Sequence, residues 1–126
     1  VIASAQLTNE ELFLIGEIFH RSLLCAGPFV VVDTLSPRVI AETIHRFGVS
    51  WMMAVPSFYE MLLDHAEPGK QDLSSLRILE SGGAWVSPRT LSSLEERFGA
   101  SFMPVWGSTE TTGVAVAMRP DRVGGV

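Results

Sequence analysis

Two short glycine-containing segments carry the residues of this sequence that are best suited to chemistry. The first is Ser81-Gly-Gly-Ala84, and the second is Gly107-Ser-Thr-Glu-Thr-Thr-Gly113, which directly follows Trp106. Glycines let a ligand approach the main chain closely, because they carry no Cβ. The second segment adds hydroxyl groups and the carboxylate of Glu110, which suit a phosphate group and its Mg²⁺ ion. The ring of Trp106 offers a flat face to a planar ligand.

Both segments also have a simpler interpretation. A loop rich in serine, threonine and glycine is often only a connection between elements, and Trp106 could belong to an ordinary core. Neither segment contains the Gly-Lys-Ser/Thr signature of a P-loop or the spacing of a dinucleotide-binding glycine motif. Residue types alone therefore leave a ligand site and a plain turn both open.

Apolar strands alternate with helices along the chain. Thr8-Asn-Glu-Glu11 has the form of a capping box and predicts a helix from Asn9 to about residue 24. Further helices are predicted to begin at Pro37, Pro56 and Pro88, the first and last directly after a serine N-cap. Strands are predicted near residues 29–32, 51–54, 77–80, 102–105 and 114–118. Pro104 is expected to shorten the fourth of these strands or confine it to a sheet edge.

This order of elements predicts an α/β fold with a mainly parallel sheet and flanking helices. We expect residues 1–126 to form a single α/β segment, because no repeat or low-complexity linker divides them. Ligands of open parallel sheets bind beyond the carboxyl ends of the strands. Both glycine segments follow predicted strands and therefore belong to that edge.

Composition excludes several classes of function. The net charge is −5 and the nine Lys and Arg residues are scattered, so no nucleic-acid partner is expected. No apolar run is long enough for a transmembrane segment and no secretory signal is recognisable, so a cytoplasmic location is predicted. The single cysteine, Cys25, is interpreted as a small core residue. The mean hydropathy of +0.29 and the uncovered sheet edges expected of a partial domain predict self-association.

The order of the motifs resembles the superfamily of AMP-forming acyl-CoA synthetases, adenylation domains and luciferases. The resemblance rests on Leu76-Arg-Ile-Leu-Glu-Ser-Gly-Gly-Ala84, then Ser87-Pro88, then Phe98-Gly99, then the segment from Trp106 to Gly113. It covers about residues 27–113. It implies that the chain is a central fragment of the large N-terminal domain, a partial subdomain of the acyl-adenylating enzyme fold.

The resemblance also implies roles for individual residues. Trp106 stands where the family usually has a tyrosine that stacks on adenine, and Gly107 follows it in the nucleotide-binding loop. The backbone of Gly82, Gly83 and Ala84 would cover the other face of the base. The Thr109 hydroxyl would contact the α-phosphate and Glu110 would hold Mg²⁺. An acyl pocket would be lined by Leu79, Ser81, Val105, Gly113 and Val114.

The function that the resemblance implies is that of an acyl- or aryl-CoA ligase in fatty acid metabolism. Such an enzyme converts a carboxylic acid and ATP into an acyl-adenylate and then, with CoA, into a thioester. The alternatives are a peptide-synthetase adenylation domain, or a nucleotide-binding or interaction module without catalysis. The family's lysine-bearing phosphate loop, ribose-binding aspartate and C-terminal catalytic lysine are not among the 126 residues. The chain alone is therefore expected to be inactive.

Overall fold

The computed structural model describes residues 2–4, 19–20, 22–32, 34–65, 69–111 and 113–119, without the side chains of residues 2–4 and 109. These residues form an α/β fold in which strands and helices alternate. The elements are β1 (Ile2–Ser4), β2 (Val30–Val32), α1 (Pro37–Phe47), β3 (Trp51–Met53), α2 (Pro56–His65), β4 (Ile78–Ser81), α3 (Pro88–Phe98), β5 (Ser101–Ser108) and β6 (Gly113–Ala117). A 3-10 turn, Thr109–Thr111, joins the last two strands.

The described strands form two sheets. Strands β1 and β2 pair in parallel, and the larger sheet has the order β3-β4-β5-β6. Strands β3, β4 and β5 are parallel, whereas β6 is antiparallel to β5. Helices α2 and α3 supply the crossovers that parallel neighbours need, and the short turn after β5 permits only an antiparallel partner. The predicted α/β fold with a mainly parallel sheet is confirmed, and the last strand is reversed. Strand β1 was not predicted.

The three predicted helix starts within the described residues are confirmed, since α1, α2 and α3 begin at Pro37, Pro56 and Pro88. The two serine caps differ: Ser87 accepts a hydrogen bond from the Thr90 amide at 3.0 Å, while Ser36 makes no side-chain cap bond. The predicted start of the first helix at residue 9 lies outside the described residues. Residues 19–20 and 22–24 are helical.

The larger sheet has two different faces. On the face that we call the helix face, Met52, Leu79 and Phe102 are register partners and are at most 2% exposed. They form one core with side chains of all three helices, including Ile44, Tyr59, Leu62 and Leu94. Alternation along the strands places their neighbours on the opposite face, which we call the second face. There Met53 packs with Phe29, Trp51, Val105 and Val114.

The structure corrects the expectation for Pro104. Strand β5 runs for eight residues between two neighbours, so it is neither short nor at an edge. Pairing with β4 ends at the Ser81–Pro104 pair, and pairing with β6 begins at Val105. Pro104 therefore stands where the strand changes partners, and its missing N–H group interrupts neither ladder. Its carbonyl still accepts a hydrogen bond from the Met118 amide at 3.0 Å.

The interpretation of Cys25 as a core residue is wrong. Its side chain is exposed, because it lies in the turn that follows the helical residues 22–24 rather than under a packed element. Among the described residues, every helix falls short of the length and apolar character that crossing a bilayer requires.

Candidate nucleotide site

The first glycine segment meets β5 at the carboxyl edge of the parallel strands, just before Trp106. Gly82 follows β4 directly, and a Cβ atom placed on it would lie 2.7 Å from the carbonyl oxygen of Val105 in β5. It would also lie 3.0 Å from Cγ2 of the same residue. Because only glycine permits this approach, the main chain after β4 lies against β5 just before Trp106. Gly83 has a φ of 82° and faces open space, so its backbone is accessible.

The second segment is more compact than the open loop that the sequence suggests. Strand β5 continues through Gly107 and Ser108, and β6 begins at Gly113. A Cβ atom on Gly107 would collide with the carbonyl oxygen of Gly113 and lie 2.9 Å from Cα of Val114. The Thr111 hydroxyl accepts from the Ser108 amide at 2.9 Å and lies 2.8 Å from the Gly113 carbonyl, to which it can donate. One threonine hydroxyl thus holds the turn closed instead of facing a ligand.

Trp106 is not part of the core. Its side chain is 61% exposed, although it lies within β5, the longest strand of the sheet. The pairing register of β5 with β6 shifts between Trp106 and Gly107, where Ala115 of β6 has no register partner. The indole ring is therefore available to a planar ligand on the edge of the sheet where Gly82 and Gly83 present their backbone.

Glu110 lies in the 3-10 turn next to Thr109, and its carboxylate is exposed. Hydrogen bonding from the Ser108 side chain, and then from its own backbone amide, holds the pKa of the Glu110 carboxyl below its usual value. The group is therefore ionised at neutral pH. The described residues contain no group of three or more His, Cys, Asp or Glu that could enclose a metal. Glu110 fits a Mg²⁺ ion whose remaining ligands are phosphate and water oxygens, which is the usual pattern for this ion.

The residues predicted to line an acyl pocket lie on different faces of the sheet. Val105 and Val114 are half-buried on the second face, and Gly113, at a φ of 122°, begins the strand that carries Val114. Ser81 is buried, and its hydroxyl donates to the Ala54 carbonyl at 2.7 Å. Leu79 is fully buried on the helix face, so the structure does not bring it together with Val105.

Sequence reasoning missed a buried carboxylate and a tyrosine beside it. Glu80 is fully buried, and its register partners Met53 and Met103 place it on the second face. The Tyr59 hydroxyl lies 2.7 Å from the Glu80 carbonyl and 3.0 Å from the Met52 carbonyl, so it bridges β3 and β4. Burial, and then the charge of Glu80, raise the pKa of Tyr59 well above its usual value. The only sequence signal for the position of Glu80 was the alternation of side chains along a strand, which turns Glu80 away from the face that carries Leu79.

Comparison with known proteins identifies the family. The model of the AMP-binding enzyme family matches residues 15–125, and the chain belongs to that family. It is 29% identical over 92 residues to the medium/long-chain-fatty-acid–CoA ligase FadD8 of Mycobacterium tuberculosis, covering 73% of this chain and 16% of that protein. It is 35% identical over 95 residues to an oxalate–CoA ligase of Arabidopsis thaliana, covering 72% of this chain and 18% of that protein.

A solved structure supports the same fold. O-succinylbenzoate coenzyme A synthetase of Bacillus subtilis, in complex with ATP and magnesium ion, superimposes with a TM-score of 0.75 at 20% identity. The superposition covers 96% of this chain and 24% of that chain. The chain spans about a sixth of the length of the curated relatives named above.

Proposed function

We propose that this chain supplies the adenine-binding half of the active site of an AMP-forming carboxylate–CoA ligase. The observation that supports the proposal is the close approach of Gly82 to the carbonyl of Val105, which places the first glycine segment beside the strand that carries Trp106. The backbone groups of Gly82 and Gly83 then lie on the same sheet edge as the exposed indole ring of Trp106 and the ionised carboxylate of Glu110. In this proposal the base lies between Trp106 and the backbone of Gly82, Gly83 and Ala84.

The chemistry at the phosphate end follows from charge. A carboxylate that attacks the α-phosphorus of ATP brings two anions together, so the protein must neutralise charge and hold the reactants in line. The Thr109 hydroxyl is proposed to donate to the α-phosphate, and Gly107, whose Cβ position is filled by the backbone of Gly113, is proposed to contribute only its own backbone to the nucleotide site. Glu110 is proposed to hold Mg²⁺, which when bound withdraws charge from the phosphate oxygens. The lowered pKa of Glu110 suits this role, because only the ionised carboxyl binds the ion.

The substrate is proposed to be a hydrophobic carboxylic acid, with CoA as the acceptor of the acyl group. Val105 and Val114 give the second face an apolar surface beside the nucleotide site, and Gly113 begins the strand that carries Val114. Ser81 lies on the helix face, where its hydroxyl donates to the Ala54 carbonyl. Leu79 is buried in the core on the helix face and does not line this surface. The similarity to fatty-acid–CoA and oxalate–CoA ligases supports the reaction class.

A peptide-synthetase adenylation domain remains the second candidate, because one observation favours it. Such a domain needs an acid to hold the amino group of its substrate, and Glu80 is a carboxylate on the same face as Val105. In the longer protein, ATP–pyrophosphate exchange with amino acids and with fatty acids would separate the candidates. We expect exchange with fatty acids only.

The site assignment is tested in the same longer protein by two variants. Glu110→Gln is expected to lower exchange by two to three orders of magnitude, as roughly seen when an electrostatic group of a reaction site is removed, and excess Mg²⁺ should restore part of it. Trp106→Ala is expected instead to weaken ATP binding, since a base–aromatic stack contributes about 1–3 kcal/mol. Unchanged exchange in both variants would refute the assignment. The predicted cytoplasmic location is tested separately, by cell fractionation.

A further inference from the structure

Strand β3 leaves the sheet just before the first glycine segment. After β3 ends, the Ala54 amide still donates to the Glu80 carbonyl at 3.1 Å, and the chain then turns into α2. Within the described sheet, Ser81 pairs with Pro104 of β5 and has no register partner in β3. The main chain that enters Gly82 is therefore held by backbone pairing on its β5 side, and support on its β3 side must come from side chains.

Two hydroxyl groups supply this support. The Ser81 hydroxyl donates to the Ala54 carbonyl at 2.7 Å. The hydroxyl of Tyr59, which lies in α2, is 2.7 Å from the Glu80 carbonyl and 3.0 Å from the Met52 carbonyl. A phenol has a single proton to donate, so the two carbonyls share it. Both residues that precede the two glycines are thus tied to β3 or to α2 by a hydroxyl.

Tyr59 also contacts the strand on the other side of β4. Its side chain is fully buried, and its ring meets the ring of Phe102 edge-on, with centroids 6.3 Å apart and an interplanar angle of 74°. Phe102 belongs to β5, the strand that carries Trp106. One side chain of α2 therefore contacts both the strand that leads into Gly82 and the strand that leads to Trp106. It fixes how the two strand ends lie relative to each other.

We propose that the hydroxyls of Tyr59 and Ser81 position the backbone of Gly82 and Gly83 for the adenine ring. The inference rests on the proposed function, because that function gives this backbone its ligand. Both side chains are buried on the helix face, so they act through the main chain and do not touch the base. They hold the glycine backbone in its binding arrangement before the nucleotide arrives. A site arranged in advance binds more tightly, because the ligand does not have to order it.

The chain offers two test variants and a matched control. Tyr59→Phe removes one hydroxyl and keeps the ring that packs on Phe102, and Ser81→Ala removes the other hydroxyl. Ser75→Ala is the control, because the Ser75 hydroxyl donates to the Val49 carbonyl at 2.9 Å. That bond also joins the chain segments of β4 and β3, but at the opposite end of the two strands.

Inhibition of ATP–pyrophosphate exchange by the longer protein separates positioning from stability. Adenosine has the base and no phosphate, whereas tripolyphosphate has phosphates and no base. Tyr59→Phe and Ser81→Ala are each expected to raise the inhibition constant of adenosine about fivefold, roughly the effect of one net hydrogen bond. The inhibition constant of tripolyphosphate should stay the same, and Ser75→Ala should change neither constant. A general loss of structure would weaken both inhibitors together.

The ¹⁵N-labelled 126-residue chain gives a second readout that needs no nucleotide. The backbone amide signals of Gly82 and Gly83 should shift in Tyr59→Phe and Ser81→Ala and stay in place in Ser75→Ala. If Tyr59→Phe does not fold, Ser81→Ala decides alone. Equal weakening of both inhibitors, unchanged inhibition by adenosine, or unmoved glycine signals in a variant with a folded circular dichroism spectrum would overturn the proposal.

The two proposals fail separately. If the longer protein catalyses no exchange with any acid, the proposed function is rejected, and shifted glycine signals in the two variants would still support positioning of this backbone by the hydroxyls. If exchange occurs and adenosine inhibits Tyr59→Phe and Ser81→Ala as it inhibits the unmodified protein, the function stands and the positioning role is rejected.

Discussion

A Cβ atom on Gly82 would lie 2.7 Å from the carbonyl oxygen of Val105, so the main chain after β4 rests directly on β5. This one contact sets the distance between the glycine backbone and the strand that carries Trp106. The parallel pairing of β4 with β5 ends one residue earlier, at Ser81 and Pro104. Beyond that pair the two backbones stay close, because Gly82 has no side chain to separate them. The proposed adenine-binding surface depends on that approach.

Gly82→Ala is expected to destabilise the chain by about 1–3 kcal/mol, as is typical when atoms are forced into filled space. The neighbouring atoms are the backbone carbonyl and a side-chain methyl of Val105, and a backbone carbonyl cannot rotate away. Gly27→Ala is the matched control, because a Cβ there meets nothing within 4 Å, and it should change stability little. Thermal unfolding followed by circular dichroism measures both. Equal melting temperatures for the two variants would show that the contact is loose.

The buried hydroxyl of Tyr59 makes stability depend on alkaline pH. Its folded-state pKa is raised above the ordinary value of 10.0, so the neutral phenol is favoured in the folded chain. The stabilisation is fully present below pH 10 and is lost as the pH rises from there through the folded-state pKa. Tyr59 is the single tyrosine of the sequence, so absorbance at the tyrosinate band follows it directly. Ionisation should coincide with unfolding, and reversible ionisation near pH 10 in a folded chain would contradict this.

Much of the fold could be predicted from local chemistry, because it depends on neighbours in sequence. Proline after an N-capping residue marked the starts of α1 and α3, and glycine turns marked strand ends. The partner change at Pro104 could not be predicted, since it depends on where two other strands stop. The antiparallel direction of β6 could not be predicted for the same reason. Strand β5 extends to Ser108 because it pairs with both neighbours, and this length leaves only a short turn before β6.

The candidate site was predictable in its residue types and less so in its geometry. The glycines at positions 82 and 107 were expected to let a ligand approach, and in the structure each lies against the chain's own backbone, at Val105 and at Gly113. Their contact with a ligand stays a prediction. The assignment of Leu79 and Val105 to one pocket failed to account for strand parity, which places Leu79 in the core and Glu80 on the second face. The hydroxyl of Thr111 is engaged in the turn, and sequence alone cannot distinguish such a group from a ligand contact.

Self-association is a further prediction. Exposed large apolar residues occur on the described surface, among them Leu24, Phe47, Val116 and Met118. Among the described strands, β6 is the last of its sheet, and it carries Val116 at 61% exposure. Exposed strand edges recruit partners. Sedimentation velocity over a range of concentrations should show a dimer or larger assembly. Val116→Lys on β6 should shift the distribution toward monomer, whereas a sharp monomer in the unmodified chain at all concentrations would contradict the prediction.

The 126-residue chain by itself is expected to catalyse no detectable ATP–pyrophosphate exchange. It offers one metal-binding carboxylate and one phosphate-contacting hydroxyl in the proposed site, and the loss of a single electrostatic donor typically lowers a rate by about two to three orders of magnitude. Exchange would be assayed with a panel of aliphatic and aromatic acids, with the Glu110→Gln chain as control. Turnover above that control would show that the site is more complete than proposed.

Binding of AMP to the isolated chain, followed by nuclear magnetic resonance of the ¹⁵N-labelled protein, tests the central claim most directly. The account predicts weak binding, in the millimolar range of about −4 kcal/mol. The shifted signals should be the backbone amides of Gly82, Gly83 and Ala84 and the indole N–H of Trp106. Pyrophosphate, which lacks the base, should leave these four signals in place. If AMP moves none of them, or moves signals only at other parts of the sheet, the two glycine segments do not form an adenine site.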